Sequence, residues 1–149
     1  MSAPTRLALL VGLCAWAPGP VTAQRTWQAD LRIQSIEIVP VGQGSLSLRV
    51  QVTSGEQATA QESRLEILVP VGVEVVRVSA GCRAGTLALP AAAGRVTCDL
   101  GDVPVRGLRE VTLTTSRPPA GSRARVAAFV MSSTPDPIPT NNFAERSAQ

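Results

Sequence analysis

The chain has 149 residues, a formal charge of +3 and no histidine, tyrosine or lysine, so all 14 of its basic residues are arginine. This inventory removes the usual general base and the commonest metal ligand, the Ser-His-Asp and Cys-His arrangements, and any Schiff base, Ser-Lys pair or lysine-dependent phosphate loop. Acidic residues interspersed among the arginines describe a mixed, solvated surface and not a nucleic-acid footprint.

Residues 1–23, MSAPTRLALLVGLCAWAPGPVTA, have a short start carrying Arg6, an apolar run from Leu7 to Ala17 and a helix-breaking PGP. Val21-Thr22-Ala23 then supplies small residues at a cleavage point. That is the three-part pattern of a secretory signal peptide, with cleavage expected after Ala23. Two alternatives stand beside it. The apolar run is short for an uncleaved membrane anchor, and lipidation at Cys14 would want a small residue where Leu13 stands. No second apolar run of spanning length follows, which predicts a soluble chain that is secreted, periplasmic or held at the cell surface.

From Asp30 onward nearly every periodic segment has period two, the mark of strands. Asp30–Pro40 places Leu31 and Ile33 on one phase and Ile36 and Ile38 on the other, which demands a bulge or a crossing between two sheets. Ser45–Thr53 alternates cleanly, with Leu46, Leu48, Val50 and Val52 inward. Ser63–Pro70 does the same with Leu65, Ile67 and Val69, and the turn Pro70-Val71-Gly72 leads into Val73–Ser79. Gly94–Gly101 has Val96, Cys98 and Leu100 in one phase, and Arg109–Thr115 offers Val111 and Leu113. Arg123–Ser133 is apolar on both phases from Val126 to Met131, which predicts a strand covered on both sides. Gly, Pro and Ser clusters separate these segments. Seven short strands and no helical spacing predict an all-β fold, an immunoglobulin-like β-sandwich of about seven strands in one domain. The domain is expected over residues 24–142, with 143–149 a short tail or weak last strand.

Two cysteines remain beyond the leader, Cys82 and Cys98. An even pair in an exported chain predicts a disulfide, the alternative being two buried thiols. Both lie on the inward phase if Gly81 does not break the alternation of Val76, Val78 and Ala80. The closed loop, roughly 15 residues long, is worth about 3 kcal/mol by chain entropy.

The segment Ser132–Asn142, SSTPDPIPTNN, spaces Pro135, Pro137 and Pro139 at alternate positions. If extended, it loses three donors from one side while Asp136 and Ile138 remain able to pair on the other. This predicts a guarded strand edge. Asn141-Asn142 then reads as a turn tolerant of left-handed geometry.

Read in order, several of these stretches resemble one family. ADLRI at the start, RLEILVPVGVEVVRVSAGC with its strand, turn and strand, VTCDLGDV, and the closing SSTPDPIPTNN are together similar to the bacterial DUF11 conserved-repeat domain. The resemblance runs from Ala29 to Asn142. It implies an immunoglobulin-like module of exported and cell-surface bacterial proteins, usually in tandem arrays, serving as stalks, spacers or adhesive surfaces. It carries no catalytic residues. The single copy here and the short FAERSAQ ending depart from that pattern and count against a stalk.

The expected function is therefore a non-catalytic structural or interaction module at the cell envelope, with no cofactor and an unknown protein or envelope component as partner. Strand addition at a sheet edge is one means of engagement. A carboxylate-only hydrolase would draw on Asp99, Asp102 and Glu110, although Asp99 and Asp102 beside Gly101 fit a turn cap better. A calcium site would draw on Asp99, Asp102 or Asp136 with Asn141 and Asn142. Arg117, Arg123 and Arg125 are candidates for an acidic polysaccharide. Beyond the leader only Trp27, Phe129 and Phe143 are aromatic, a poor supply for a base-stacking platform or a sugar-binding shelf.

Overall fold

A computed structural model describes residues 27–86, 94–121 and 124–148. The predicted leader with its cleavage point at Ala23, and the candidate Arg123, lie outside the described residues. The seven expected strands are all present, and two more join them: β1 (Leu31–Pro40), β2 (Ser45–Ser54), β3 (Ala60–Val69), β4 (Val75–Val78), β5 (Cys82–Thr86), β6 (Gly94–Val103), β7 (Leu108–Ser116), β8 (Ala124–Met131) and β9 (Phe143–Ala148). They form two antiparallel sheets, a four-stranded one ordered β1-β2-β7-β4 and a five-stranded one ordered β5-β6-β3-β8-β9. The sets β1-β2-β7 and β3-β8-β9 are disposed as the A-B-E and C-F-G strands of an immunoglobulin sandwich. Here β4 and the β5–β6 hairpin are inserted between the third and seventh strands.

The phase slip in the first strand is a bulge. Ile33 pairs with Val52 and Ser35 with Gln51, so Gln34 is the extra residue. It lets Leu31 before the slip and Ile36 after it both turn into the core. Leu48, Val50 and Val52 of β2 meet Leu65 and Ile67 of β3, Val96 and Cys98 of β6, and Val126, Ala128 and Val130 of β8 in one apolar cluster. Because each strand contributes alternate residues, the interdigitated layer fills without any helix.

Three expectations are corrected, and one left open between two alternatives is decided. First, Val73–Ser79 does not run on in phase to Cys82. The pairing of β4 with β7 shifts between Val75 and Arg77, so Val75 and Val78 pack on the core while Val76 stands exposed. Gly81, at φ 80°, then turns the chain from one sheet into the other.

Second, β8 is covered on one face only. Val126, Ala128 and Val130 point inward, but Phe129 of the other phase is exposed. A two-layer sandwich has nothing to lay over the outside of its sheets.

Third, of the two alternatives for 143–149 the last strand, and not the short tail, is present as Phe143–Ala148. It pairs with β8 from Phe129↔Phe143 to Ala124↔Ala148 without a register break.

Fourth, the proline-rich segment is not an extended strand guarding an edge. It bridges the sheets, with the Ala29 N–H donating to the Pro135 carbonyl at 3.0 Å. The Ile138 N–H is taken by Asp136 Oδ1 at 2.7 Å, so it is not available to a partner strand. Pro139–Asn142 closes as a right-handed 3-10 turn with proline in its first turn, where its missing N–H costs nothing.

Candidate interaction face

The two outer faces of the sandwich differ in kind. On the four-stranded sheet, Val39, Val76 and Leu108 are exposed one to a strand, and the outward residues of its centre form a polar lattice. Arg49 lies 3.7 Å from Glu37 and 3.4 Å from Glu110. Gln51 donates to Glu110 at 3.1 Å and accepts from Ser35 at 3.0 Å. Such a face is well solvated and asks for no partner.

The five-stranded sheet turns outward Leu68 from β3, Phe129 from β8 and Phe143 from β9. Phe129 and Phe143 are direct cross-strand partners, while Leu68 pairs with Ala127 beside them. Their exposures are 39% for Leu68, 40% for Phe129 and 51% for Phe143. Aromatic residues opposite one another on adjacent strands stabilise the pairing by roughly 0.2–1 kcal/mol. That gain does not require their outer surfaces to stay wet. Two charged pairs border the apolar centre, Arg95 with Glu66 and Arg125 with Glu145, the latter at 3.4 Å. The Arg125–Glu145 pair is largely exposed and contributes little to stability.

Toward the β5 edge of the same sheet, on its inner side, lie Cys82 and Cys98. They are cross-strand partners and form a disulfide with an S–S distance of 2.03 Å. The bridge ties β5 to β6 within one sheet, and Cys98 is fully buried while Cys82 is half-buried at the edge. Beside it a shallow hollow of about 550 Å³ is lined by Arg64, Arg83, Thr97 and Asp99.

The other candidate residues are employed in backbone geometry. Asp99 Oδ1 accepts from the Gly101 N–H at 2.9 Å, capping the turn as its position suggests. Asp102 Oδ1 accepts from the N–H of Glu62 at 3.0 Å, and Glu62 itself holds a φ of 48° at an irregularity in β3. Glu110 sits on the opposite sheet within the Arg49 lattice, away from any pairing with those two carboxylates. Asp136 Oδ2 accepts from the Leu31 N–H at 2.9 Å, and Asn141 Nδ2 donates to Asp30 Oδ1 at 2.7 Å. Asn141 Oδ1 and Asn142 Oδ1 are buried without a protein donor. Among the described residues no three acidic or cysteine side chains gather where they could hold a metal ion. Arg117 is exposed after β7, and Arg125 lies 3.4 Å from Glu145.

The phenylalanine pair escaped the sequence reading for two linked reasons. Apolar residues on both phases of β8 suggested burial on both sides, and the segment 143–149, open between a tail and a weak last strand, had no assigned neighbour. The usable signal was the lack of any helical segment. With no third layer available, a strand apolar on both phases must expose one of them.

No family model matches the chain, and no curated protein matches it. Among solved structures it is similar to a family GH18 chitinase from Chromobacterium violaceum at 14% identity and TM-score 0.43, covering 74% of this chain and 19% of the chitinase. It is similar to a CBM3 of Hungateiclostridium clariflavum at 6% identity and TM-score 0.42, covering 72% of this chain and 94% of that one. A cohesin module from the family 33 glycoside hydrolase of Clostridium perfringens gives 10% identity and TM-score 0.40, with 83% and 97% covered. The chain thus spans about a fifth of the chitinase and nearly the full length of the two modules. Likenesses of this depth say nothing of what the chain binds or does.

Proposed function

We propose that the chain is an exported, non-catalytic immunoglobulin-like module of the bacterial cell envelope that engages a protein partner through the outer face of its five-stranded sheet. The observation carrying this is the exposed Phe129–Phe143 pair with Leu68 beside it, bordered by arginine–carboxylate pairs. Aromatic anchors within a charged rim are the anatomy of a protein interface, and apolar residues exposed side by side on one face mark contact sites. The face, and not a strand edge, offers this surface. Export is supported by the leader pattern and by the disulfide, which persists in oxidising compartments. The envelope setting is supported by the ordered likeness to the DUF11 domain.

A photo-activatable residue at Phe143, in cells making the full chain, should yield one discrete conjugate. The conjugate should disappear with Phe129→Ser and be absent when the probe stands at Glu74 on the other sheet's side. Equal labelling from both positions would overturn the reading.

A calcium-binding role is the second reading, favoured by the two buried acceptors Asn141 Oδ1 and Asn142 Oδ1. Against it, Asp30 and Asp136 already accept from Asn141, Leu31 and Ile138. A calcium-dependent rise in melting temperature, reversed by chelation, would select it.

A further inference from the structure

At one end of the sandwich the chain preceding β1, the β2–β3 loop with the start of β3, the β6–β7 turn and the segment after β8 border an open pocket of about 600 Å³. Its lining includes the apolar Trp27, Val105 and Pro135 and the polar Gln57, Thr59 and Gln61. We propose that this pocket is a binding subsite for an uncharged sugar ring, stacked on Trp27 and hydrogen-bonded by the two glutamine carboxamides and the Thr59 hydroxyl.

Three observations converge on that ligand class. The first is charge. Among the described residues no arginine, aspartate or glutamate lines the pocket, although these types make up much of the remaining surface. A phosphate, a uronic acid or a basic peptide would find no counter-charge there, whereas a neutral polyol needs none.

The second is the indole. Trp27 is 76% exposed and lines the pocket together with Val105 and Pro135. A flat aromatic ring beside polar groups suits a ligand with one apolar and one hydroxylated side. A pyranose has that character, with C–H bonds on its faces and hydroxyls around its rim.

The third is the division of labour among the polar groups. The frame is held by bonds that leave the recognition groups free. Thr134 Oγ1 accepts from the Gln61 N–H at 3.0 Å and donates to the Thr59 carbonyl at 3.3 Å. The Ser133 N–H and Oγ both donate to the Gln61 carbonyl, at 3.0 and 3.2 Å. The Gln57 and Gln61 carboxamides and the Thr59 hydroxyl make no bond to the described residues. Each carboxamide offers a donor and an acceptor side by side, which matches a pair of neighbouring hydroxyls. The volume falls within the usual range for small-ligand sites, about 300–1,000 Å³.

The test uses the exported chain, in which Trp27 would be the sole tryptophan, with its indole N–H followed by NMR. The probes are neutral hexasaccharides of glucose and of N-acetylglucosamine, with polygalacturonate as the anionic control. At least one neutral hexasaccharide should shift the Trp27 signal saturably. Intrinsic titration by calorimetry should show Trp27→Ala binding it about tenfold or more weakly, with Gln61→Leu weakened in the same direction and Phe129→Ser unchanged. Trp27 is exposed, so its replacement leaves the core intact. The proposal is overturned if neither neutral glycan moves the indole signal at about 10 mM, a concentration well above millimolar affinity. Equal response to polygalacturonate, or undiminished binding by both pocket variants, would overturn it as well.

Discussion

Replacing Cys82 and Cys98 together by alanine isolates what the bridge contributes. The cysteines are separated by 16 positions, and closing a loop of that length removes denatured-state entropy worth about 3 kcal/mol at 25 °C. Little else is lost, because Cys98 is buried among apolar neighbours that an alanine still meets, and Cys82 is only partly covered. The expected destabilisation is therefore about 2–4 kcal/mol, a large share of a typical domain's stability.

The structure also says where the loss should show first. β5 is an edge strand held by pairing with β6 alone, from Cys82↔Cys98 to Thr86↔Gly94. Without the bridge this strand should open locally while the remaining sheet persists. Urea unfolding followed by circular dichroism gives the global change. Native-state hydrogen exchange should show amides of Arg83–Thr86 losing more protection than those of Leu65 and Ile67. A double variant within about 0.5 kcal/mol of wild type, inside the range of ordinary surface substitutions, would refute the reasoning. So would labelling that finds two free thiols in the unreduced, denatured protein.

Other outcomes follow from single contacts. A Cβ on Gly107 would stand 2.6 Å from the Pro104 carbonyl oxygen and 2.7 Å from its ring, so Gly107→Ala should cost about 1–3 kcal/mol in urea unfolding. Asp136→Ala strips an acceptor from the N–H groups of both Leu31 and Ile138. It should destabilise by about 1–3 kcal/mol, with Asp136→Asn milder because one carbonyl oxygen remains. Intact-mass measurement of the exported chain should give an N-terminus at Gln24, and a mass retaining Leu7–Ala17 would refute cleavage after Ala23.

The sequence by itself determined the alternation, because side chains on a strand reverse sides at every residue and a buried face must therefore be apolar every second position. Leu46, Leu48, Val50 and Val52 could be assigned inward from spacing alone, and so could the slip between Ile33 and Ile36, since no regular strand buries both. The cysteines were paired by their even count in a chain with a leader pattern and not by alternation, which fails before Cys82, and Asp99 beside Gly101 was legible as a turn cap. Spacing did not reveal which strand lies beside which, or which apolar residues are left without a cover. β9 has little pattern of its own and exists because β8 offers it an edge. Phe129 and Phe143, 14 positions apart, become neighbours only through that pairing. Trp27, Val105 and Pro135 meet at one end because the bonds from Ala29 to Pro135 and from Ser133 to Gln61 draw distant segments together. Periodicity is a property of one strand at a time, whereas a face or a pocket is a property of several, and only the tertiary pairing brings those strands into register.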